Sequence, residues 1–148
     1  MLKTLIIDDD RSIVQALSAA FQQKGAKVFA AGDPVQGVRL ALEERPDVIV
    51  LDLRMPAGGG SAALQTLKRN VVTHLIPIIC ISALQGDEVR EACLAAGSQA
   101  FFAKPFSPSA VVAKAFELAG HPLPEASGTG GKNESGEGGG GAEGASPA

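Results

Sequence analysis

Five short apolar runs, each closed by polar or turn-forming residues, constrain the fold of this chain more than any other feature of its sequence. They occupy residues 5–7, 28–30, 48–51, 78–81 and 100–103. Runs of three or four apolar residues suit buried strands and are too short for helices. Each run is followed by a segment whose apolar residues recur three or four positions apart, which is typical of a helix packed on one side. Strand and helix therefore alternate five times along the chain.

The helical segments carry capping residues at their ends. Asp33 and Ser107 each stand before a proline, as an N-cap residue stands before the first residue of a helix. Gly25 and Gly97 stand where a helix ends in a left-handed residue. Asp10 is interpreted as the cap of the first helix. The apolar residues of the five segments are Ile13, Leu17 and Phe21; Val35, Val38 and Leu42; Leu64 and Leu67; Val89, Cys93 and Ala96; and Val111, Val112, Ala115 and Phe116.

The strands show no alternation of apolar and polar residues, which indicates that helices cover both faces of the sheet. The sequence thus predicts an α/β fold: a doubly wound, five-stranded parallel sheet of order 2-1-3-4-5, in a flavodoxin-like three-layer α/β/α arrangement. With 148 residues the chain has room for one such domain, which we expect to span residues 1–120. We expect residues 121–148, which are mostly Gly, Ser, Ala, Pro and Glu, to form a disordered tail.

The net charge of −3 lies in this predicted tail, which holds four of the sixteen acidic residues and one of the thirteen basic residues. The preceding 120 residues carry twelve of each, so they lack the broad positive field that direct nucleic-acid binding needs. No apolar run approaches the ~18 residues of a membrane span, and the N-terminus lacks a secretory signal pattern. We expect a cytoplasmic protein without membrane insertion. Cys80 and Cys93 lack metal-binding spacing and are interpreted as free thiols.

Polar residues close four of the predicted strands, and the doubly wound order brings the ends of strands one and three together. Asp8 and Asp9 follow the first strand, Asp52 the third, Ser82 the fourth and Lys104 the fifth. Two carboxylates about 4 Å apart repel by roughly 4 kcal/mol at an effective dielectric constant near 20, so these acids require a cation. Oxygen ligands without histidine or thiolate favour Mg²⁺ or Mn²⁺ and leave coordination positions for a phosphate. Lys104 would neutralise one phosphoryl oxygen and Ser82 would hydrogen-bond another.

Four stretches of the sequence resemble the signature motifs of the response regulator receiver family: residues 5–10, 48–56, 77–83 and 102–106. The joint pattern Asp-Asp, Asp-x-x-Met-Pro, Ser-Ala and Lys-Pro-Phe at successive strand ends carries this resemblance, which extends from residue 1 to about residue 119. It implies a phosphoacceptor switch of two-component signalling, which catalyses only its own phosphorylation and dephosphorylation. Asp52 would take the phosphoryl group from a phosphohistidine of a sensor histidine kinase or a histidine phosphotransfer protein.

The resemblance also implies roles for the residues around Asp52. Mg²⁺ would be bound directly by Asp9, chiefly through water by Asp8, and also by Asp52 and the backbone carbonyl of Arg54. Lys104 would pair with Asp52 or its phosphoryl group, and its peptide bond to the following proline would be cis. The switch residues would be Ser82, which swings toward the phosphoryl group, and Phe101, which turns inward behind it. The face formed by helix four, strand five and helix five would then bind a downstream target protein, in a monomer or a phosphorylation-linked dimer.

Three features depart from the family pattern. Phe101 replaces a tyrosine that is frequent at this position, so any coupling there must run through packing. Arg54 places a long cation near the acceptor, where it would alter the lifetime of the phosphoryl group in a direction that the sequence leaves open. The glycine-rich stretch at residues 57–60 predicts a loop after strand three that is more flexible than usual.

Several functions remain open at this point. The chain could be a stand-alone regulator without an effector domain, a phosphorelay intermediate or a truncated receiver of a larger regulator. A haloacid-dehalogenase-type phosphatase also uses a strand-end aspartate with Mg²⁺, but it needs an acid two residues later, where this chain has Arg54. A flavodoxin-like flavin site would need a phosphate-binding turn after strand one, where three aspartates would repel phosphate.

Overall fold

The computed structural model describes residues 1–54, 59–84 and 86–124. Within them, strands and helices alternate from the first strand to the last helix, as the sequence predicts. The elements are β1 (Lys3–Ile7), α1 (Arg11–Gln23), β2 (Lys27–Ala31), α2 (Pro34–Glu44), β3 (Val48–Asp52), α3 (Gly59–Arg69), β4 (Ile78–Ser82), α4 (Asp87–Ala95), β5 (Ala100–Ala103) and α5 (Pro108–Ala119).

The five strands form one parallel sheet of order β2-β1-β3-β4-β5, which confirms the predicted fold. Helices α1 and α5 pack on one face of the sheet, around a core that includes Leu17, Phe21 and Phe116. Helices α2, α3 and α4 pack on the other face, around a core that includes Ala41 and Leu67. Helices therefore bury both faces of the central strands, as the continuously apolar sequence of those strands requires.

The capping residues act as the sequence predicts. The side chain of Asp10 accepts hydrogen bonds from the amides of the first turn of α1, and those of Asp33 and Ser107 do the same for α2 and α5. Gly25 (φ 82°) and Gly97 (φ 108°) have the left-handed backbone that favours glycine after a helix. Local sequence signals thus define the start of three helices and the end of two.

The buried face of α2 differs from the apolar pattern of its sequence. Val35 is 82% exposed, whereas the small residues Gly37 and Ala41 face the sheet. A Cβ atom at position 37 would lie 2.6 Å from Cδ1 of Ile7 in β1, which is closer than side chains approach. The helix therefore approaches β1 closely through Gly37, while Val38, one of the predicted apolar residues, is partly buried against the same core and Val35 faces solvent.

Two sequence-based predictions fall partly outside the described residues. Residues 121–124 form neither helix nor strand, and the predicted disorder of the tail concerns mainly residues 125–148, which are not described. Residues 55–58, which include Met-Pro of the third motif, also lie outside the described part. In the described ranges, no helix combines the length and the apolar character that crossing a bilayer requires.

Candidate functional site

The carboxyl-terminal edge of the sheet brings together the polar residues that close its strands. Asp8 and Asp9 follow β1, and Asp52 and Ser82 are the last residues of β3 and β4. Ile7 pairs with Leu51 and Asp52 with Ile81 in the strand register, so the ends of β1, β3 and β4 are nearly level. Lys104 follows β5, and its backbone amide donates a hydrogen bond of 2.7 Å to the carbonyl of Ser82.

The carboxylates of Asp8, Asp9 and Asp52 form a compact acidic cluster. One oxygen from each lies within 4.8 Å of the others. Asp8 and Asp52 are 1% and 2% exposed, whereas Asp9 is open to solvent. Two of the three negative charges are therefore buried next to each other, and the third closes the cluster on the solvent side.

Backbone amides and a lysine hold the two buried carboxylates. The amide of Asp10 donates to Oδ1 of Asp8 at 2.9 Å, and that of Arg54 donates to Oδ1 of Asp52 at 3.1 Å. Their second oxygens face Nζ of Lys104, at 3.3 Å from Asp8 and 3.4 Å from Asp52. One ammonium group is thus shared between two carboxylates.

The pKa values reflect the excess of negative charge. The pKa of the Asp8 carboxyl is raised to about 6, chiefly because the group is buried; the Asp10 amide opposes this effect, and the Asp52 carboxylate adds to it. Burial lowers the pKa of the Lys104 ammonium, but Asp8 and Asp52 outweigh it, and the net shift is upward. Lys104 therefore stays charged and still leaves the acids undercompensated.

The donor set fits a divalent cation. Oδ2 of Asp8 is buried and accepts no hydrogen bond within the described part of the chain. A buried carboxylate oxygen whose ion pair with Lys104, at 3.3 Å, is shared with Asp52 suits a hard cation such as Mg²⁺, which binds oxygen ligands and keeps several waters. Asp8, Asp9 and Asp52 could provide these ligands, whereas the role predicted for the carbonyl of Arg54 remains a prediction.

The residues predicted to respond to phosphorylation lie on β4 and β5, the two strands on one side of β3. The buried hydroxyl of Ser82 accepts a hydrogen bond of 3.1 Å from the amide of Leu84, which leaves its hydrogen available for donation. Phe101 is half-buried and packs against the core beneath α2, α3 and α4. The peptide bond between Lys104 and Pro105 is cis, as expected. The structure places Ser82 and Lys104 at the site and Phe101 on β5, paired with Cys80 two residues before Ser82, and the movement of Ser82 and Phe101 remains a prediction.

The glycines after β3 differ from the prediction of a flexible loop at residues 57–60. Gly59 and Gly60 belong to the first turn of α3 rather than to a flexible loop, and residues 57 and 58 lie outside the described part. A Cβ atom at position 60 would collide with the backbone carbonyls of Asp52 and Leu53, and one at position 59 with the ring of Pro34. These glycines let α3 start directly against the acceptor strand. A glycine run at a strand-to-helix junction is the signal for such a close approach.

Sequence reasoning about side chains also missed the two backbone amides that orient the acids. The amides of Asp10 and Arg54 each lie two residues after the carboxylate that they bind. This is the spacing of an Asx turn, which aspartate forms readily. The chain turn after each strand therefore fixes the direction of the carboxylate that ends it.

Comparisons with known proteins agree with this geometry. Residues 4–116 match the family described as "Response regulator receiver domain". The chain is 32% identical to the transcriptional regulatory protein PrrA of Mycobacterium tuberculosis, over 76% of this chain and 47% of that protein. It is 31% identical to the phosphate regulon transcriptional regulatory protein PhoB of Escherichia coli, over 76% and 49%. The chain thus spans about half the length of the curated relatives it matches.

Solved structures of similar fold include two receiver domains at 30% identity. One is the receiver domain of the Francisella response regulator 1452, with a TM-score of 0.76 over 81% of this chain and 98% of that one. The other is the receiver domain of the sensor histidine kinase PA1611 from Pseudomonas aeruginosa, with a TM-score of 0.71 over 80% and 98%. The PA1611 domain was crystallised with a magnesium ion coordinated in its active site cleft.

Proposed function

This chain belongs to the response regulator receiver domain family of two-component signalling, and from that premise we propose that Asp52 accepts a phosphoryl group with the help of Mg²⁺. The observation that carries this proposal is the set of three carboxylates within 4.8 Å that share Lys104. Asp52 is the member of this set that also ends the strand at the centre of the sheet. The magnesium ion of the related PA1611 domain supports the same choice of cation.

In the proposed reaction, an oxygen of Asp52 attacks the phosphorus atom of a phosphohistidine. A phosphorus–oxygen bond forms while the phosphorus–nitrogen bond breaks, and the electron pair returns to the imidazole of the donor. Lys104, already 3.4 Å from Asp52, pairs with one phosphoryl oxygen, and the hydroxyl of Ser82 donates to another. Asp8, Asp9 and Asp52 would hold Mg²⁺, which would neutralise part of the negative charge that gathers around the acceptor.

Because the acceptor Asp52 is buried, phosphoryl transfer to it requires nearby positive charge. A third negative group added beside Asp8 and Asp52 would raise the repulsion among charges that lie in a low-dielectric edge of the core. The carboxylate of Asp52 is 3% exposed and has little water to screen it. Phosphoryl transfer therefore depends on the positive charge that Lys104 and a cation provide, and removal of either should slow it.

The partners follow from the family and the position of the site. We propose that a sensor histidine kinase or a histidine phosphotransfer protein donates the phosphoryl group. Ser82 and Phe101 then transmit the change to the face of α4, β5 and α5, which binds a downstream target protein. The two relatives named above are transcriptional regulatory proteins about twice the matched length. For residues 1–120 themselves, the balanced charge supports a protein partner rather than direct contact with nucleic acid.

The test is phosphorylation in vitro. Incubation with acetyl phosphate and Mg²⁺ should add one phosphoryl group to the intact chain, measured by mass spectrometry, and EDTA should prevent it. Asp52→Asn should abolish the adduct, and Asp9→Ala should reduce it to the level seen in EDTA, because it removes a ligand of the cation. Asp33→Asn is a matched control because this exposed acid caps α2 and asparagine caps equally well. An adduct that persists in Asp52→Asn would show that another residue is the acceptor.

A further inference from the structure

Helix α4 is the least anchored of the five described helices. Its nine residues make it the shortest of them, and Cys93 is its one buried residue. Helix α1, by contrast, buries Leu17 and Phe21, and α5 buries four residues that include Phe116. An isolated helix of fewer than about 12 residues is marginal in water, so α4 depends on its tertiary contacts for stability.

The start of α4 is not held by a side chain. Its N-cap residue is Gly86, which makes no side-chain hydrogen bond, whereas side chains cap the first turns of α1, α2 and α5. None of the four charged residues of α4 forms an ion pair with a residue in the described ranges. The first turn therefore relies on backbone hydrogen bonds and on Val89, which is partly buried.

The chain that follows α4 is tied firmly to the sheet. The hydroxyl oxygen of Ser98 lies 3.1 Å from the carbonyl oxygen of Ile78 and 2.7 Å from that of Ala100. The amide of Gln99 donates to the Ile78 carbonyl at 2.9 Å, and its Oε1 accepts from the Ile78 amide at 2.7 Å. Gly97, with a φ of 108°, separates this anchor from the helix. The backbone freedom of glycine makes position 97 suitable as a hinge.

The neighbouring helix contributes little to holding α4. A groove of about 750 Å³ lies between α3 and α4, with Leu64 on the α3 side and Ala92 and Ala96 on the α4 side. Because these alanine side chains are short, they leave the space between the two helices unfilled. The contact of α4 with β5 and the burial of Cys93 are therefore its main attachments to the domain.

From these contacts we propose that α4 opens away from the sheet as a unit, about a hinge at Gly97, while the other four helices stay packed. A segment with few buried apolar contacts opens at a lower free energy than the whole domain unfolds. The opening requires neither Mg²⁺ nor phosphorylation. It can therefore be measured on the untreated chain, and its outcome is independent of whether Asp52 accepts a phosphoryl group.

Hydrogen exchange of the full chain, followed by NMR in EDTA, tests the opening. The amides of residues 92–95 should exchange at least about a hundredfold faster than those of residues 113–117 in α5. Their rates should rise weakly with urea because the opening exposes little surface, whereas the rates in α5 should rise steeply. The amide of Gln99, beyond the hinge, should stay as protected as those of α5. Equal rates and equal urea dependence in α4 and α5 would mean that α4 opens only when the domain unfolds, and the proposal would be wrong.

Two leucine variants test whether the unfilled space beside α3 sets the opening. Ala92→Leu extends a side chain into the groove and should slow exchange in α4 by about tenfold, because it buries apolar surface only in the closed state. Ala95→Leu is the matched control with the same change in helix propensity, since Ala95 is exposed on the same helix outside the groove. Equal slowing in both variants, or none in Ala92→Leu, would show that the sparse contact with α3 is not the cause, and the proposed origin of the opening would be wrong.

Discussion

At the scale of single residues, Asp8 lowers the stability of the folded chain because its charge is buried, whereas the proposed function needs the same carboxylate to bind Mg²⁺. Its pKa is raised from 3.8 to about 6, so the folded chain binds a proton on Asp8 more tightly than the unfolded chain does. Well below pH 3.8 Asp8 is protonated in both states, and its burial then costs no stability. As the pH rises through 4 to 6, the free energy of unfolding falls by up to about 3 kcal/mol, and the cost remains at higher pH.

Asp8→Asn should therefore stabilise the protein at pH 8 in EDTA by about 1 to 3 kcal/mol, and much less at pH 4. Asparagine can still accept the hydrogen bond from the amide of Asp10. Urea unfolding followed by circular dichroism at both pH values gives the difference. Asp10→Asn is the contrast, because hydrogen bonds from the Ser12 hydroxyl and amide lower the pKa of Asp10, so this variant should lose stability at pH 8 relative to pH 4. A variant at position 8 that gains nothing at pH 8 would contradict the cost of burial.

Site residues could be named from the sequence because each one ends a strand. The parallel strands of the common doubly wound arrangement bring Asp8, Asp52 and Lys104 to one edge, so the sequence could predict their proximity. The burial of Asp8 and the sharing of Lys104 between two acids could not be predicted, because they depend on how far neighbouring strands and turns cover the carboxylates. The order of the strands thus predicts which side chains lie close together, whereas the packing around Asp8 determines its pKa.

At the scale of elements, the contact between α2 and β1 depends on Gly37. Gly37→Ala should lower the free energy of unfolding by about 1 to 2 kcal/mol. The added Cβ would lie 2.6 Å from Cδ1 and 2.9 Å from both Cγ atoms of buried Ile7, which costs more than the ~1 kcal/mol that alanine gains in helix propensity. Urea unfolding measures the loss. Gly32→Ala is the control, because a Cβ there meets no atom within 4 Å.

The double variant Ile7→Val with Gly37→Ala sharpens this test. Valine lacks the Cδ1 atom that lies closest to the new methyl group, so the two substitutions together should cost less than the sum of their separate costs. Additive costs would mean that the loss in Gly37→Ala arises elsewhere in α2, and the close approach to Ile7 would not be its cause.

The type and order of the elements were predictable, and the orientation of α2 was not. Strands and helices differ in period and in length, so the alternating runs define the fold. For α2 the apolar residues suggest a face that includes Val35, yet the sheet contacts the face of Gly37 and Ala41. A hydrophobic pattern shows which residues could be buried, whereas the distance between helix and sheet selects the smaller ones.

At the scale of the whole molecule, cation binding should be visible as stability. At a Mg²⁺ concentration ten times the dissociation constant, a ligand that binds only the folded state adds about 1.4 kcal/mol, or about 3 to 6 °C in the thermal midpoint of a domain of this size. Asp9→Ala should lose most of this increase because it removes the exposed ligand of the cluster. An equal increase in Asp9→Ala would show that the cation binds without that carboxylate.

The predicted tail can be tested against the rest of the molecule by truncation. Because Gly-rich, Glu-containing sequence buries little apolar surface, removal of residues 125–148 should change the thermal midpoint by less than about 2 °C. The contrast is truncation before Phe116, a side chain that is 3% exposed in the core beneath α5. Loss of such a side chain costs about 3 to 5 kcal/mol, so this shorter chain should melt about 10 °C lower or fail to fold. Calorimetry distinguishes the two truncations. A loss of several degrees on removal of residues 125–148 alone would mean that this segment packs on the domain, and the boundary predicted at residue 120 would then be wrong.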